Sequence, residues 1–257
     1  MTTRITLKGN WHLTPLFVTL LGIAGQPVMA QLSLGLEGGY NYNYLSKDLS
    51  GRWFSENDGQ AGYTIGVPVL YQCNSWLMLC ATPSFCKKNY LSKRTDTFAG
   101  IYEYHYNNYL QLPLTARYVF KRKRFDVFLE LGVYSAWWIS GRIKGVAPNL
   151  FDLHDSAGAN GQLVEYIRLD AYEMKYHFDT RKDNRFEWGW VTGIGGEYHL
   201  NAQYALFIEG RYTGSLSDRQ KKYMKAQPPE HNHTFYLSAG GTVRLKTKRR
   251  STKKNAA

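Results

Sequence analysis

The residues with the clearest capacity for chemistry lie in one long polar segment, residues 146–184. Its acid and imidazole side chains are Asp152, His154, Asp155, Asp170, His177 and Asp179. Such side chains can ligate a metal ion or act as an Asp/His protease pair. Their spacing matches no metal-ligand motif, and connecting segments are commonly polar. We therefore expect no catalytic residue, no metal and no cofactor. An enzyme that uses segment 146–184, a protease or a lipid-modifying enzyme, is the alternative.

The cysteines are Cys73, Cys80 and Cys86. Cys80 and Cys86 are six residues apart on one predicted strand, which separates them by about 20 Å. That distance is far beyond the reach of a disulfide. Cys73 falls in a predicted turn, opposite Trp76 rather than Cys80. We therefore expect free thiols that act as small apolar side chains.

The elements that must position these residues show a repeated pattern. Segments of about ten to twenty residues, in which every second side chain is apolar, are joined by connections that are alternately short and long. The short connections are near residues 73–75, 121–124 and 201–203, and the long ones are 46–59, 93–101, 146–184 and 217–231. This pattern is typical of a transmembrane β-barrel.

The predicted fold is all-β, an eight-stranded antiparallel transmembrane β-barrel with long extracellular loops and short periplasmic turns. The predicted strands are Leu32–Leu45, Gln60–Gln72, Trp76–Leu91, Tyr102–Phe120, Phe125–Gly145, Arg185–Leu200, Tyr204–Leu216 and Asn232–Thr247. An even number of strands returns both ends of the barrel to the periplasm. Partial alternation over Leu163–Met174 indicates that the fifth and sixth strands continue beyond the membrane as a hairpin.

The two faces of the barrel wall differ in composition. In the fourth strand the lipid face is predicted to carry Tyr102, Tyr104, Tyr106, Leu110, Leu112, Leu114, Ala116, Tyr118 and Phe120. Its lumen face then carries Glu103, His105, Asn107, Gln111 and Arg117. In the fifth strand Asp126, Glu130, Tyr134 and Arg142 are predicted to point inward. The mean hydropathy of −0.43 fits a wall in which only one face is apolar.

Aromatic residues fall in two groups. If odd-numbered strands run outward, the outer group is Tyr40, Tyr42, Tyr44, Tyr63, Tyr102, Tyr104, Trp137, Phe186, Trp188 and Tyr212. The group beside the short turns is Tyr71, Trp76, Tyr118, Phe125, Tyr198 and Tyr204. Two aromatic belts are expected at the two membrane interfaces. In a soluble barrel or sandwich, the other interpretation, these rings would have to be hidden.

The amino-terminal segment of the chain predicts export, and the carboxy-terminal segment is basic. Residues 1–30 have the positive start, short apolar stretch and Val28-Met29-Ala30 site of a signal peptide cleaved before Gln31. The barrel is then residues 31–247, and residues 248–257 are a basic tail. The net charge of +12 is of a kind that can bind nucleic acid. We expect no nucleic-acid binding, because a tail in the periplasm encounters no nucleic acid. Anionic lipid headgroups or an acidic periplasmic protein are the expected contacts of the tail, and a solvated tail that binds nothing is the alternative.

The predicted lumen contains acids and arginines in near balance. They are Glu37, Glu130, Glu197 and Glu209 with Arg117, Arg211 and Arg244. An eight-stranded barrel is only wide enough for its own side chains. Because an unpaired buried charge is costly, we expect these residues to pair in a charge network that fills the lumen.

Several short motifs resemble the PorT-type outer-membrane β-barrel family of Bacteroidota. They are Gln31–Tyr40, Tyr109–Phe120, Phe128–Ser135, Gly193–Tyr198 and Glu209–Tyr212. Gln111 stands where that family usually has an acid, and the end of the chain departs from the usual terminal aromatic residue. The resemblance implies an integral protein of the Gram-negative outer membrane, one member being attached to a secretion and gliding apparatus. It implies no reaction, and we expect lipid contact and a periplasmic or surface protein partner.

Overall fold

A computed structural model describes residues 31–49, 54–157, 163–223 and 227–245, with side chains left out at 150–157 and 163–167. The predicted signal peptide, the whole basic tail and residues 246–247 of the predicted barrel lie outside these residues. The strands are β1 Gln31–Lys47, β2 Ser55–Gly66, β3 Val69–Gln72, β4 Leu77–Ala81, β5 Ser84–Lys87, β6 Tyr90–Arg94, β7 Tyr102–Phe120, β8 Phe125–Ala157, β9 Leu163–Lys175, β10 Phe186–His199, β11 Tyr204–Ser215 and β12 Glu230–Arg244. Among the described residues, no helix is long and apolar enough to cross a membrane.

The strands form one closed antiparallel ring, which confirms the predicted barrel. β2 with β3 builds the second wall, and β4, β5 and β6 together build the third. Each wall pairs with the next, and β12 pairs with β1 from Ser33↔Arg244 to Lys47↔Glu230. Closure leaves the ring without an exposed edge, which is what a barrel in lipid requires.

Proline explains two interruptions in the predicted second and third strands. Pro68 separates β2 from β3, and Pro83 separates β4 from β5. Proline has no backbone N–H to donate to a ladder, so the regular ladder is interrupted, although the Pro68 and Pro83 carbonyls still accept from Gly35 and Val67 at 2.8 and 3.0 Å. A third interruption lies between β5 and β6, where the Asn89 side chain donates to the Ala61 carbonyl at 2.8 Å. The predicted third strand is therefore three short strands that follow one another in the same wall.

Side chains alternate between a buried lumen face and an exposed outer face. β7 shows the pattern most clearly, with Gln111, Thr115 and Arg117 buried and Leu112 and Leu114 exposed. The outer face is apolar, so it is matched to a hydrocarbon environment rather than to water. Exposed rings beside the short turns form one belt, made of Tyr71, Trp76, Tyr118, Phe125, Tyr198 and Tyr204.

A β-bulge in β8 reverses one part of the predicted pattern. Asn108 pairs with Ser140 and Tyr109 with Trp138, so Ile139 is an extra residue in β8. Beyond it the alternation changes sides. Arg142, predicted to point into the lumen, is instead on the outer surface, where it pairs with Glu173 at 2.8 Å. The prediction for Arg142 is wrong because a strict two-residue period cannot register an inserted residue.

The long connection after β8 contains the extended hairpin indicated by the sequence. β8 continues to Ala157 and pairs with β9 from Arg142↔Lys175 to Ala157↔Leu163, with an irregularity between Pro148 and Leu153. Its partner β9, Leu163–Lys175, is the segment whose partial alternation indicated the hairpin. The residues after β9, 176–185, run back to the barrel mouth before β10 begins.

Candidate functional site

Arg117 is the centre of the lower lumen, near the short-turn end of the barrel. Its Nε lies 2.5 Å from Glu130 Oε1, and its Nη2 lies 3.3 Å from Glu209 Oε2. Arg117 and Glu130 are direct partners across β7 and β8. The guanidinium also covers the Phe128 ring at 3.7 Å. Arg117, Glu130 and Glu209 are almost completely buried, so each charge depends on the others for compensation.

Arg211 extends this group to the first strand. Its Nε lies 2.6 Å from Glu209 Oε1, and its Nη2 lies 3.4 Å from Glu37 Oε2. Gly193 separates Glu130 from Arg211 in the register of β8, β10 and β11. A Cβ at Gly193 would lie only 3.2 Å from Glu209 Oε1. A glycine at this position therefore leaves the space in which charges from neighbouring strands meet.

Two members of the predicted charge network are placed at its margin. Glu197 Oε2 is 3.9 Å from Arg117 Nη1, too far for a hydrogen bond, and Glu197 also faces His199 at 3.7 Å. His199 lies 2.8 Å from Asp126 at the same rim. Arg244 is partly exposed and forms no ion pair with the other six members within the described part of the chain. The structure thus brings together Glu37, Arg117, Glu130, Glu209 and Arg211, with Glu197 beside them.

A second charged layer, higher in the lumen, was not found from the sequence. Lys88 is completely buried, and its Nζ lies 2.5 Å from Glu187 Oε1. Tyr134 donates to the same oxygen at 2.8 Å, and Asn232 Nδ2 donates to Glu187 Oε2 at 2.6 Å. The Lys88 ammonium also lies 5.2 Å from the centre of the Tyr109 ring. A lysine held this closely is a structural cation that joins the segment between β5 and β6 to β10 across the lumen.

The inward position of Lys88 cannot be predicted, because the third predicted strand has no clear alternation. Lys87 and Lys88 are adjacent, and only the pairing of Lys87 with Asn108 decides which of them points outward. Glu187 follows the strict alternation of β10, since Trp188 is exposed beside it. Its inward position could therefore have been recognised from the two-residue period of that strand.

The outer mouth is closed by side chains from two connecting segments. Trp138 packs against Tyr176 and Phe178, with ring centres 4.9 and 4.8 Å apart. Arg219, from the segment after β11, lies 5.0 Å from the Trp138 ring. Its Nη2 donates to Tyr90 Oη and pairs with Glu230, both at 2.8 Å. The segments are joined to each other by a bridge between residues 183 and 220. This set, the mouth cap, covers the apolar layer of the lumen.

The mouth cap borders an open cavity of about 380 Å³ on its outer side. Lys93, Arg94, Glu103 and His105 are among its lining residues. Most of these charges already have partners, such as His105 with Glu103 at 3.2 Å. The cavity therefore has the character of a polar vestibule that ends at the cap.

The acid side chains of segment 146–184 that the structure describes lie in separate contacts. Side chains of Asp152, His154 and Asp155 lie outside the described residues. Asp170 pairs with Arg168 at 2.9 Å. Asp179 accepts the backbone N–H of Arg181 at 2.8 Å, and this hydrogen bond lowers the pKa of the Asp179 carboxyl below its ordinary value. Among side chains that are described, no three acids, histidines or cysteines could hold one metal ion.

The cysteines are separate, as expected. Cys73, Cys80 and Cys86 are all free thiols. Cys86 is fully buried and accepts a weak hydrogen bond from Tyr236 Oη at 3.9 Å. It packs with Tyr109, Tyr134, Ala136, Trp138, Val191 and Tyr236 in an apolar layer that surrounds the Lys88 pair.

The lumen is thus filled in layers: ion pairs, an apolar layer with the Lys88 pair, and the mouth cap. The closed antiparallel ring and its apolar outer face define an integral β-barrel of the outer membrane. A model of the family described as outer membrane protein beta-barrel domain matches residues 25–219, more than half of the chain. The chain belongs to this family, and it is a protein of the Gram-negative outer membrane, in contact with lipid.

Comparison with solved structures gives distant matches of the same kind. Neisserial surface protein A is 12% identical, with 82% of this chain and 97% of that chain covered and a TM-score of 0.41. OprG from Pseudomonas aeruginosa is 9% identical, with coverages of 85% and 98% and a TM-score of 0.44. The outer membrane protease OmpT from Escherichia coli is 9% identical, with coverages of 84% and 96% and a TM-score of 0.43. No curated protein matches the sequence significantly.

Proposed function

We propose that this protein is a non-enzymatic barrel of the PorT-like type that holds a binding partner at the membrane and conducts no solute. The observation that carries the proposal is the filled lumen. The charge network joins four strands, since β1, β7, β8 and β11 each contribute to it. The Lys88 pair and the mouth cap lie further along the same passage. A barrel filled in this way acts as a rigid support for its outer segments.

The PorT-like assignment is supported by where the resembling motifs lie. Arg117 belongs to the motif on β7, Glu130 to the motif on β8, and Glu209 with Arg211 to the motif on β11. The motif on β1 supplies Glu37. Each of these motifs therefore contributes a charge to the lower lumen. A shared filled lumen gives the motifs a physical reason to occur together.

The proposed binding element is the long hairpin of β8 and β9. Ladder pairs run from Arg142↔Lys175 to Ala157↔Leu163, so the hairpin continues the barrel wall beyond the ring. Its described outer surface carries charged pairs such as Lys144 with Glu173 at 2.9 Å. An ordered, charged projection offers a partner a surface that costs little entropy to bind. Because the hairpin is expected outside the cell, the partner it binds is expected to be a surface protein, with attachment to a secretion apparatus as the specific form of this role. A periplasmic partner would contact the opposite end of the barrel.

The test is capture from native membranes with a shortened hairpin. Residues 148–169 are replaced by Asn-Gly, which joins the paired positions Ala147 and Asp170 with a tight turn. We expect the variant to fold, as judged by heat-modifiable gel mobility, and to lose a protein that the full-length chain captures. A matched control replaces only Lys121, Arg122, Lys123 and Arg124 in the opposite turn by Gln. Capture of the same proteins by the shortened variant would refute the role of the hairpin.

A further inference from the structure

The outer wall beside the bulge carries a basic surface that the lumen does not use. Lys87, Arg142, Lys144 and Lys175 line one open depression of about 660 Å³ on this wall. Arg142 and Lys144 are well exposed, with side-chain exposures of 60% and 46%. Glu173 is the carboxylate between them, at 2.8 and 2.9 Å. The depression, here called the basic groove, therefore keeps a clear excess of positive charge.

The bulge creates the basic groove. Without the extra Ile139, strict alternation would direct Arg142 and Lys144 into the barrel. With Ile139 inserted, Arg142 and Lys144 point outward. Lys87 and Ser140 both pair with Asn108 and therefore share the outer face, and Arg142 and Lys144 follow Ser140 at two-residue steps on that face. The insertion of one residue thus places cations where a regular strand would present apolar side chains.

The register fixes the depth of the basic groove in the membrane. Phe85, Leu110 and Trp137 form one outward row across β5, β7 and β8. The row of Lys87, Asn108 and Ser140 follows directly, about 7 Å further from the membrane centre. Arg142, paired with Tyr106 and Lys175, forms the next row. Because Trp137 belongs to the outer aromatic belt, the cations stand at the level of the lipid headgroups.

An apolar groove continues from the basic groove toward the membrane centre. It has a volume of about 490 Å³ and is lined by Ile65, Val67, Phe85, Leu112, Ser135, Trp137 and neighbouring residues. The small side chain of Ser135 lies on the outer face between Val133 and Trp137, which leaves room between them. Phe85 and Trp137, which line this apolar groove, occupy the row next to Lys87 and Ser140. An apolar groove below a basic one matches an acyl chain below an anionic headgroup.

One buried polar atom also points to a headgroup. Asn108 lines the basic groove, and its Nδ2 donates to Ser140 Oγ at 2.9 Å. Its Oδ1 is buried and has no hydrogen-bond partner in the described part of the chain. A buried acceptor of this kind is costly unless a donor reaches it. Hydroxyl and amide N–H groups of a sugar headgroup are donors of the kind that this acceptor lacks.

We propose that the two grooves together bind one phosphorylated glycolipid of the outer leaflet. Its phosphate contacts Lys87, Arg142, Lys144 and Lys175, and one acyl chain lies in the apolar groove. A hydroxyl or amide N–H of its sugar donates to Asn108 Oδ1. The lipid so bound stabilises the base of the β8–β9 hairpin, because Arg142 and Lys175 are ladder partners there. The inference depends on the outer-membrane location and is independent of the proposed partner.

The test measures lipid binding to the purified full-length protein in detergent micelles by native mass spectrometry. The probes are lipid A and its chemically dephosphorylated form, which share their acyl chains. We expect the wild-type protein to prefer the phosphorylated form by about tenfold or more, given four cations near one phosphate. The variant with Lys87→Gln, Arg142→Gln, Lys144→Gln and Lys175→Gln should lose this preference.

A matched control removes the same charge at the other end of the barrel. It carries Lys121→Gln, Arg122→Gln, Lys123→Gln and Arg124→Gln and should keep the wild-type preference. If the groove variant does not fold, the exposed pair Lys144→Gln and Lys175→Gln replaces it, with a severalfold loss expected. Equal binding of both probes by the wild-type protein, or an unchanged preference in the groove variant, would overturn the proposal. Equal loss in the control would show charge attraction without a site and would overturn it as well.

Discussion

At the scale of single residues, the lumen depends on charges that cannot be removed one at a time. Arg117 contacts Glu130 and Glu209, and both carboxylates are buried with it. Removing the guanidinium leaves two acids in a narrow, water-poor space. Breaking a buried pair from one side typically costs several kcal/mol, much more than the pair contributes compared with apolar packing.

We therefore expect Arg117→Met to lower the free energy of unfolding by about 3–5 kcal/mol. Methionine is unbranched and close to arginine in volume, so the loss of charge dominates over the change in size. Urea titration of the protein refolded into lipid vesicles measures the effect. Arg244→Met is the control, because Arg244 stands outside the ion pairs and should cost less than about 1 kcal/mol. Similar costs at the two arginines would contradict the assignment of Arg117 as the centre.

A second residue-scale prediction concerns the two faces of β7. Leu112 is exposed toward lipid, whereas its neighbour Gln111 is buried and accepts a hydrogen bond from Tyr236 at 3.2 Å. Leu112→Arg should cost roughly 2–4 kcal/mol near the bilayer midplane. Gln111→Asn keeps a polar group in the lumen and should cost less. The same refolding titration compares them, and equal tolerance would mean that the outer face does not meet lipid.

The side of each residue could be predicted wherever the alternation is regular. Arg117, Glu130, Glu209 and Arg211 were all expected to point inward, and the structure places them there. Which atoms pair could not be predicted, because pairing depends on the register between strands that are far apart in the chain. Arg244 shows the limit, since its position at the end of β12 places it beside the network rather than in it.

At the scale of elements, bulges and prolines determine features that the two-residue alternation does not predict: the face that a residue occupies and the points where a strand is interrupted. The bulge at Ile139 moves Arg142 to the outer surface, and Pro68 and Pro83 divide two predicted strands into shorter ones. The prolines were visible in the sequence, whereas a bulge leaves no composition signal that separates it from a regular strand. The strand β7 is continuous and contains no inserted residue. Its predicted bounds, Tyr102–Phe120, are the observed ones.

The lengths of the connecting segments predict the orientation of the barrel in the membrane. Short turns at one end of the barrel and long segments at the other are expected to face the periplasm and the exterior. Protease added to intact cells should therefore cut within 152–179 and leave the turn at 121–124 intact. Permeabilised cells provide the control, since there the turn becomes accessible. Cleavage at the turn in intact cells, with the hairpin protected, would reverse the assigned orientation.

At the scale of the whole molecule, three kinds of packing close one passage. The charge network occupies the lower lumen, the Lys88 pair and the Cys86 layer occupy the middle, and the Trp138 cap occupies the mouth. The ring and its closure follow from the sequence pattern, and the family match places the protein in the outer membrane. The mouth cap could not be foreseen, because it comes from loop residues whose contacts depend on the final fold.

The filled lumen is tested most directly by conductance in planar lipid bilayers. The purified wild-type protein is inserted, insertion is verified by protease protection of the reconstituted protein, and current is recorded under an applied voltage. We expect no stable channel, because the described side chains of the three layers occupy a ring that is only wide enough for its own side chains. Stable channels of porin size from the wild-type protein would contradict the filled lumen and the non-conducting role that rests on it.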